Sequence, residues 1–270
     1  MQTHSNTDSS RPVLIRHAGA QTIFMLFVIA VVMLVFRTFP GIDVVFNDLF
    51  FTERDCNEVI EGVRCGQFLL LHDPVWSTLR EIGHETPLVL MALVCLNMTW
   101  LMMFNPNKTM AQLYPPIVAI ISGLLGPLLL VNLVLKEHWG RPRPMQTLFF
   151  GGKDPYVLPG DISTYCESNC SFVSGEAAAA FWLVGLMFYF SGRNRLRYFI
   201  VAFIIASGIA LLRVTFGRHY ISDVVVAGLS SVMLISFAVW ILQTEIIRRW
   251  LAVMLKFSNT YAFGRRNMRN

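Results

Sequence analysis

The sequence predicts an all-α integral membrane protein, a bundle of six transmembrane helices whose polar chemistry gathers at one end. Three observations carry that prediction. Hydrophobic residues make up 54% of the 270 positions and charged residues only 14%, where a soluble domain carries about a quarter charged. The apolar residues fall into six long runs, and crossing a hydrocarbon core of about 30 Å takes about 20 apolar residues in a helix. Three short polar clusters interrupt the pattern, each at the edge of a run.

In chain order the runs lie at Thr22–Phe36, Thr86–Phe104, Pro116–Leu135, Ala177–Phe190, Tyr198–Leu212 and Val224–Leu242. The fourth and fifth are short and are expected to borrow residues from their flanks. The first is too long for a cleavable signal, and no small-x-small site follows it before Arg37, so it is expected to remain as an anchor. Residues 1–10 are polar and expected to be disordered. The stretch Asp43-Val-Val-Phe-Asn-Asp-Leu-Phe-Phe51 suits an amphipathic helix at the membrane interface, with an ordinary packed loop as the other reading. Segment 145–172 mixes Gly, Pro, Asp and Ser and reads as irregular. The expected organisation is a cytoplasmic segment 1–20, one six-helix membrane domain 21–243 and a basic cytoplasmic tail 244–270.

Sidedness follows from the density of basic residues, since their totals on the two sides nearly tie. Ser191-Gly-Arg-Asn-Arg-Leu-Arg197 and the tail with Arg248, Arg249, Lys256, Arg265, Arg266 and Arg269 are dense, while the loop before the second run is acidic. The positive-inside rule then places both termini in the cytoplasm. The net charge of +5 mostly reflects that rule, and nucleic-acid binding is not expected. Cys95 lies inside an apolar run and reads as packing. Cys56 with Cys65, and Cys166 with Cys170, fall in loops outside the cytoplasm, where an oxidising compartment lets each near pair close. Four free thiols is the other reading, because spacing alone does not prove a bridge. Neither pair has zinc-ligand spacing, so no metal and no cofactor are expected.

The polar clusters are Lys136-Glu-His-Trp-Gly-Arg-Pro-Arg-Pro144, Ser171-Phe-Val-Ser-Gly-Glu176 and Arg213-Val-Thr-Phe-Gly-Arg-His-Tyr-Ile-Ser-Asp223. With six alternating helices all three share the non-cytoplasmic face. Charges at helix ends near hydrocarbon are costly and tend to mark function. Lys136, Arg143 and Arg213 would offer three fixed cations, and arginine forks match phosphate oxygens. Ser174-Gly175 at a helix N-terminus offers backbone N–H groups and the positive dipole end to an anion. His219 and Asp223 are four residues apart and share a helical face. A carboxylate on one imidazole nitrogen leaves the other free to attack. These parts describe phosphoryl transfer in which fixed cations stabilise the charge.

The pattern Lys-x6-Arg-Pro, then Ser-Gly, then Arg-x5-His-x3-Asp resembles the type-2 phosphatidic acid phosphatase family. Here it reads Lys136…Arg143-Pro144, Ser174-Gly175 and Arg213…His219…Asp223, covering roughly residues 136–223. The resemblance implies a phosphohistidine at His219 oriented by Asp223. It also implies phosphate binding by Lys136, Arg143, Ser174, Gly175 and Arg213. The Trp-Gly-Arg-Pro-Arg-Pro stretch and the Cys-containing loop are similar to the bacterial lipid A phosphatases. One departure matters: the family's second motif usually continues Ser-Gly-His, with that histidine protonating the leaving oxygen, and here the position is Glu176. Glu176 is read as a tuned acid, as a carboxylate touching substrate, or as the sign of a weakened acid step.

Each residue alone has a duller explanation. Lys136 and Arg213 suit interfacial snorkelling, His219 a satisfied buried histidine, and Arg141 a rigid loop or a substitute phosphate ligand two residues from Arg143. Arg218, His138 and His72 read as structural or surface residues. The joint occurrence implies a bacterial inner-membrane phosphatase acting on a lipid phosphate, its active site at the periplasmic helix ends. Lipid A-type, phospholipid and polyprenyl phosphates are the candidate substrates, and the bilayer is the expected partner. The alternatives are a phosphotransferase to a second lipid and a catalytically silent membrane member.

Overall fold

The computed structural model describes residues 17–55 and 64–267, so Cys56 of the first expected cysteine pair lies outside the described residues. The chain forms α1 (Ala18–Thr38), α2 (Gly41–Asp48), β1 (Phe51–Glu53), β2 (Gly66–Phe68), α3 (Pro74–Phe104), α4 (Met110–Leu135), α5 (Gly175–Tyr189), α6 (Gly192–Thr215), α7 (Ile221–Gln243) and α8 (Glu245–Asn267). Five of the six expected runs fall inside helices, and the fourth, Ala177–Phe190, overruns the end of α5 by one residue. Those five helices, α1, α3, α4, α6 and α7, are long and apolar enough to cross a membrane, which makes this a multi-pass membrane protein.

The sixth, α5, is the exception. It did not borrow enough from its flanks: Gly175–Tyr189 tightens from α to 3-10 geometry after Trp182. Eight residues at about 1.5 Å and seven at about 2.0 Å reach only about 26 Å, short of a core of about 30 Å. Pro127 interrupts the ordinary hydrogen-bond ladder of α4, whose second half, Leu124–Leu135, is wound as a π-helix.

Helix α7 is the hub, and α1, α4, α5 and α6 all pack on it. Its small residues Ala227, Gly228, Ser230 and Ser231 are buried where neighbouring helices approach, as expected where close van der Waals packing replaces hydrophobic association. Two regions depart from the sequence reading. Helix α2 forms as expected, but its polar Asp43 and Asn47 face inward and are fully buried, while Val45 and Leu49 are exposed. The same loop adds an antiparallel pair with Phe51 opposite Phe68, packed with Phe150 and Tyr220 beside the site. The tail beyond residue 243 continues as helix α8.

Candidate active site

The three polar clusters do converge. A cavity of about 720 Å³ is lined at its polar end by Lys136, Arg143, Gly175, Glu176, Arg213 and His219. Its other end runs between α3, α4 and α5 along Leu88, Met91, Leu124, Leu128 and Trp182. Six of the eight residues singled out from sequence therefore face one space. Ser174 and Asp223 stand behind it.

The turn after α6 explains the Arg-x5-His spacing. Gly217 adopts φ +61, and a side chain there would collide with Phe68 at 2.3 Å. That left-handed residue folds the chain back so that the N–H groups of Arg218 and His219 both donate to the Arg213 carbonyl, at 3.1 and 3.2 Å. Asn47 of α2 pins the turn by donating its side-chain amide to the carbonyls of Val214 and His219, each at 3.2 Å.

His219 is 1% exposed. Its Nδ1 lies 2.7 Å from the Ser171 carbonyl, which can only accept, so Nδ1 carries the proton and Nε2 keeps its lone pair. Burial is the main cause that lowers the ring's pKa, to about 4, with the Asp223 carboxylate opposing it. The neutral, nucleophilic form is thus the resting form at neutral pH. Asp223 was expected to hold the ring directly, yet its Oδ2 is 3.8 Å from Nδ1. Instead it accepts from Ser171 Oγ at 2.5 Å and from the Tyr220 N–H at 2.9 Å. Its grip on His219 runs through Ser171.

Behind Asp223 lies a buried ion network. Arg141 is not a substitute phosphate ligand: it is fully buried, donates to Asp223 Oδ1 at 2.5 Å and to Asp43 Oδ2 at 2.8 Å, and stacks 4.1 Å from the Tyr220 ring. Burial opposes its charge, but Asp223 and Asp43 outweigh burial and raise its pKa. Asp43 also accepts from the Ser222 backbone and hydroxyl at 2.9 and 2.7 Å. Arg143, two residues on, is the one that faces the cavity, and burial followed by the nearby Arg218 charge lowers its pKa.

The cations are presented by a small loop. Asn169, at φ 50, accepts from Arg143 at its carbonyl at 2.8 Å and from Lys136 Nζ at its side chain at 3.2 Å. It sits inside the Cys166–Cys170 disulfide, with Cα atoms 5.7 Å apart, so the second expected pairing is present. Ser174 is the N-cap of α5, accepting from the Ala177 N–H at 3.3 Å. That leaves the first amides of α5 without helical acceptors. Arg213 is 5% exposed, and its Nε has no hydrogen-bond partner among the described residues.

Glu176 is held as an acceptor. Arg80 of α3 donates to its two oxygens at 2.7 and 3.3 Å, and Arg213 Nη1 lies 3.3 Å away. Arg80, His84 and Arg218 also line the cavity, and sequence reasoning assigned none of them to it. Arg80 and His84 had a signal. Asp73-Pro74 marks a helix start, and Asp73 does cap α3, accepting from the Val75 and Trp76 N–H groups at 2.8 and 3.2 Å. The helix thus begins twelve residues before the apolar run and puts Arg80 and His84 on one face.

The PAP2 superfamily model matches residues 116–247. A lipid A 4'-phosphatase of Rhizobium leguminosarum is 42% identical over 78% of this chain and 91% of its own length. The chain belongs to the PAP2 superfamily. A second lipid A 4'-phosphatase, from Rhizobium etli strain CFN 42, is 41% identical over 78% of this PAP2 chain and 82% of its own. The crystal structure of the first transmembrane PAP2-type phosphatidylglycerolphosphate phosphatase from Bacillus subtilis aligns over 82% of this chain and 94% of that one, at 21% identity and a TM-score of 0.49.

Proposed function

We propose that this membrane lipid phosphate phosphatase removes a phosphate from lipid A, the 4'-phosphate by analogy with its relatives, by attack of His219 Nε2 on phosphorus. The observation that carries the reading is the Nδ1 contact to the Ser171 carbonyl, which commits the free lone pair to Nε2 beside Lys136, Arg143 and Arg213. In the first step Nε2 bonds to phosphorus and the bond to the lipid oxygen breaks. In the second, water attacks phosphorus, the P–N bond breaks, and phosphate leaves. The cations and the α5 amides take the charge on the equatorial oxygens. Arg213 Nε, buried without a partner among the described residues, suits a phosphate oxygen as its missing acceptor.

The two-ended cavity supports an amphiphile, with phosphate among the cations and acyl chain between α3, α4 and α5. The short α5 supports a site at headgroup depth. The basic 191–197 loop and Arg248 and Arg249 lie at the opposite bundle end, which supports cytoplasmic termini and a periplasmic site in a bacterial inner membrane.

The test is phosphate release from lipid A by protein purified in detergent with EDTA present. Release is expected from the wild type and not from His219→Ala. Release that survives in His219→Ala would remove the nucleophile. Release from phospholipid or polyprenyl phosphates alone would remove lipid A.

A further inference from the structure

We propose that His84 is the proton donor to the leaving lipid oxygen, the role that Glu176 cannot take. The proposal rests on His219 being the nucleophile. Both oxygens of Glu176 are committed as acceptors to Arg80, with Arg213 beside them, so the carboxylate has no proton to give. The other ionisable donors on the cavity wall are the guanidiniums of Arg80, Arg143, Arg213 and Arg218, the Lys136 ammonium, and the two imidazoles. Guanidinium does not release protons in proteins, and Lys136 is engaged with Asn169. His219 is occupied by the phosphoryl group. An imidazole can both give and take a proton, which leaves His84.

Its placement fits the role. His84 stands one turn beyond Arg80 on the same face of α3, with Nδ1 4.0 Å from Glu176 Oε1. Arg80 fixes Glu176, and Glu176 faces the ring, so the carboxylate acts as the orienting partner of an acid on the neighbouring helix. Nε2 lies 4.0 Å from the exposed Glu85 on the solvent side. The His84 side chain is 45% exposed and can exchange its proton with water between turnovers.

The steps balance. As the Nε2 lone pair of His219 forms the P–N bond, the P–O bond breaks and its electron pair stays on the lipid oxygen. That oxygen takes a proton from the His84 imidazolium. Neutral His84 then takes a proton from water as the oxygen of that water attacks phosphorus, and the P–N electron pair returns to His219. Phosphate departs and His84 is again protonated.

The experiment compares His84→Gln on two substrates that differ in their need for an acid. A lipid sugar phosphate expels an alkoxide-like oxygen, whereas 4-nitrophenyl phosphate expels a stable phenolate. The turnover rate on the lipid is expected to fall about 10²- to 10³-fold. The first-turnover burst of nitrophenolate is expected to stay within about threefold of wild type. Equal losses on both substrates, or no loss on the lipid, would overturn the assignment. So would Glu176→Gln reproducing the selective loss while His84→Gln does not. His219→Ala, run alongside, reports separately on the nucleophile: a burst that persists there sinks the underlying reading whatever His84→Gln does.

Discussion

The two walls of the cavity are built on opposite principles. The wall behind His219 is fully buried: Asp43, Arg141 and Asp223 are each 0% exposed, and Arg141 bonds to both carboxylates within 2.8 Å. The wall facing α3 is part-open: Arg80 and Glu176 side chains are 33% and 13% exposed, and His84 is open to solvent. The difference separates two tasks. The buried wall holds His219, the proposed nucleophile, in one orientation and tautomer before any substrate arrives. The open wall carries a part-exposed ion pair, Arg80 with Glu176, beside the cations that face the cavity.

If that separation is right, Arg141→Met should be the most damaging change outside the nucleophile. It strands two buried carboxylates, and breaking a buried pair costs about 3–5 kcal/mol. A large fall in thermal midpoint in detergent is expected, with activity lost alongside. A midpoint near wild type would show that the buried wall is not the structural one.

That wall also shows what the sequence could and could not reveal. The cavity-lining cations and His219, the proposed nucleophile, were legible because each cluster sits at the end of an apolar run, where charge is costly, and because Lys136, Arg143, Arg213 and His219 follow a recognisable spacing. Asp43 was not, because it lies 98 residues from Arg141 on a short helix whose Val and Phe residues suggested the membrane interface. Its inward face is set by the partner it meets in the fold. The Ser171 carbonyl was equally hidden, since a backbone oxygen leaves no mark in composition. Arg80 was missed for a simpler reason: the helix was started at its apolar residues, thirteen positions after its Asp73 cap.

Acid should test the buried wall next. The folded His219 ring titrates near pH 4 because of its burial, against 6.5 for an ordinary imidazole. Below about pH 6.5 the unfolded chain therefore binds a proton that the folded chain refuses. Stability falls with pH across that window and levels off near pH 4, by about 1.4 kcal/mol per unit. Thermal melts from pH 7 to 4 should show this component in the wild type and lose it in His219→Gln. Equal acid sensitivity in both would mean that the ring is not held neutral.

Replacing Cys166 and Cys170 together by Ser tests the hinge between the walls. Closing so short a loop contributes about 2 kcal/mol on the chain-entropy model. The loop also carries Asn169, which bonds both Arg143 and Lys136. The melting point should drop modestly, and KM for the lipid should rise severalfold with kcat less affected. A change in kcat alone would place the loop with the nucleophile and not with the phosphate cage.

The smallest effect on stability is expected from Arg80→Gln, and it is the one that most sharpens the contrast. The substitution removes two charge-assisted bonds from Glu176. The freed carboxylate then has Arg213 as its nearest cation, at 3.3 Å, and competes with the substrate phosphate for it. KM should rise about tenfold, equivalent to about 1.4 kcal/mol, while stability changes by less than about 1 kcal/mol, as for a part-exposed pair. Arg80→Lys should recover only part of the loss, since an ammonium keeps the charge without the fork that spans both oxygens. A melting-point drop as large as that of Arg141→Met would mean that the α3 wall is as structural as the buried one, and the division of labour between the two would fall.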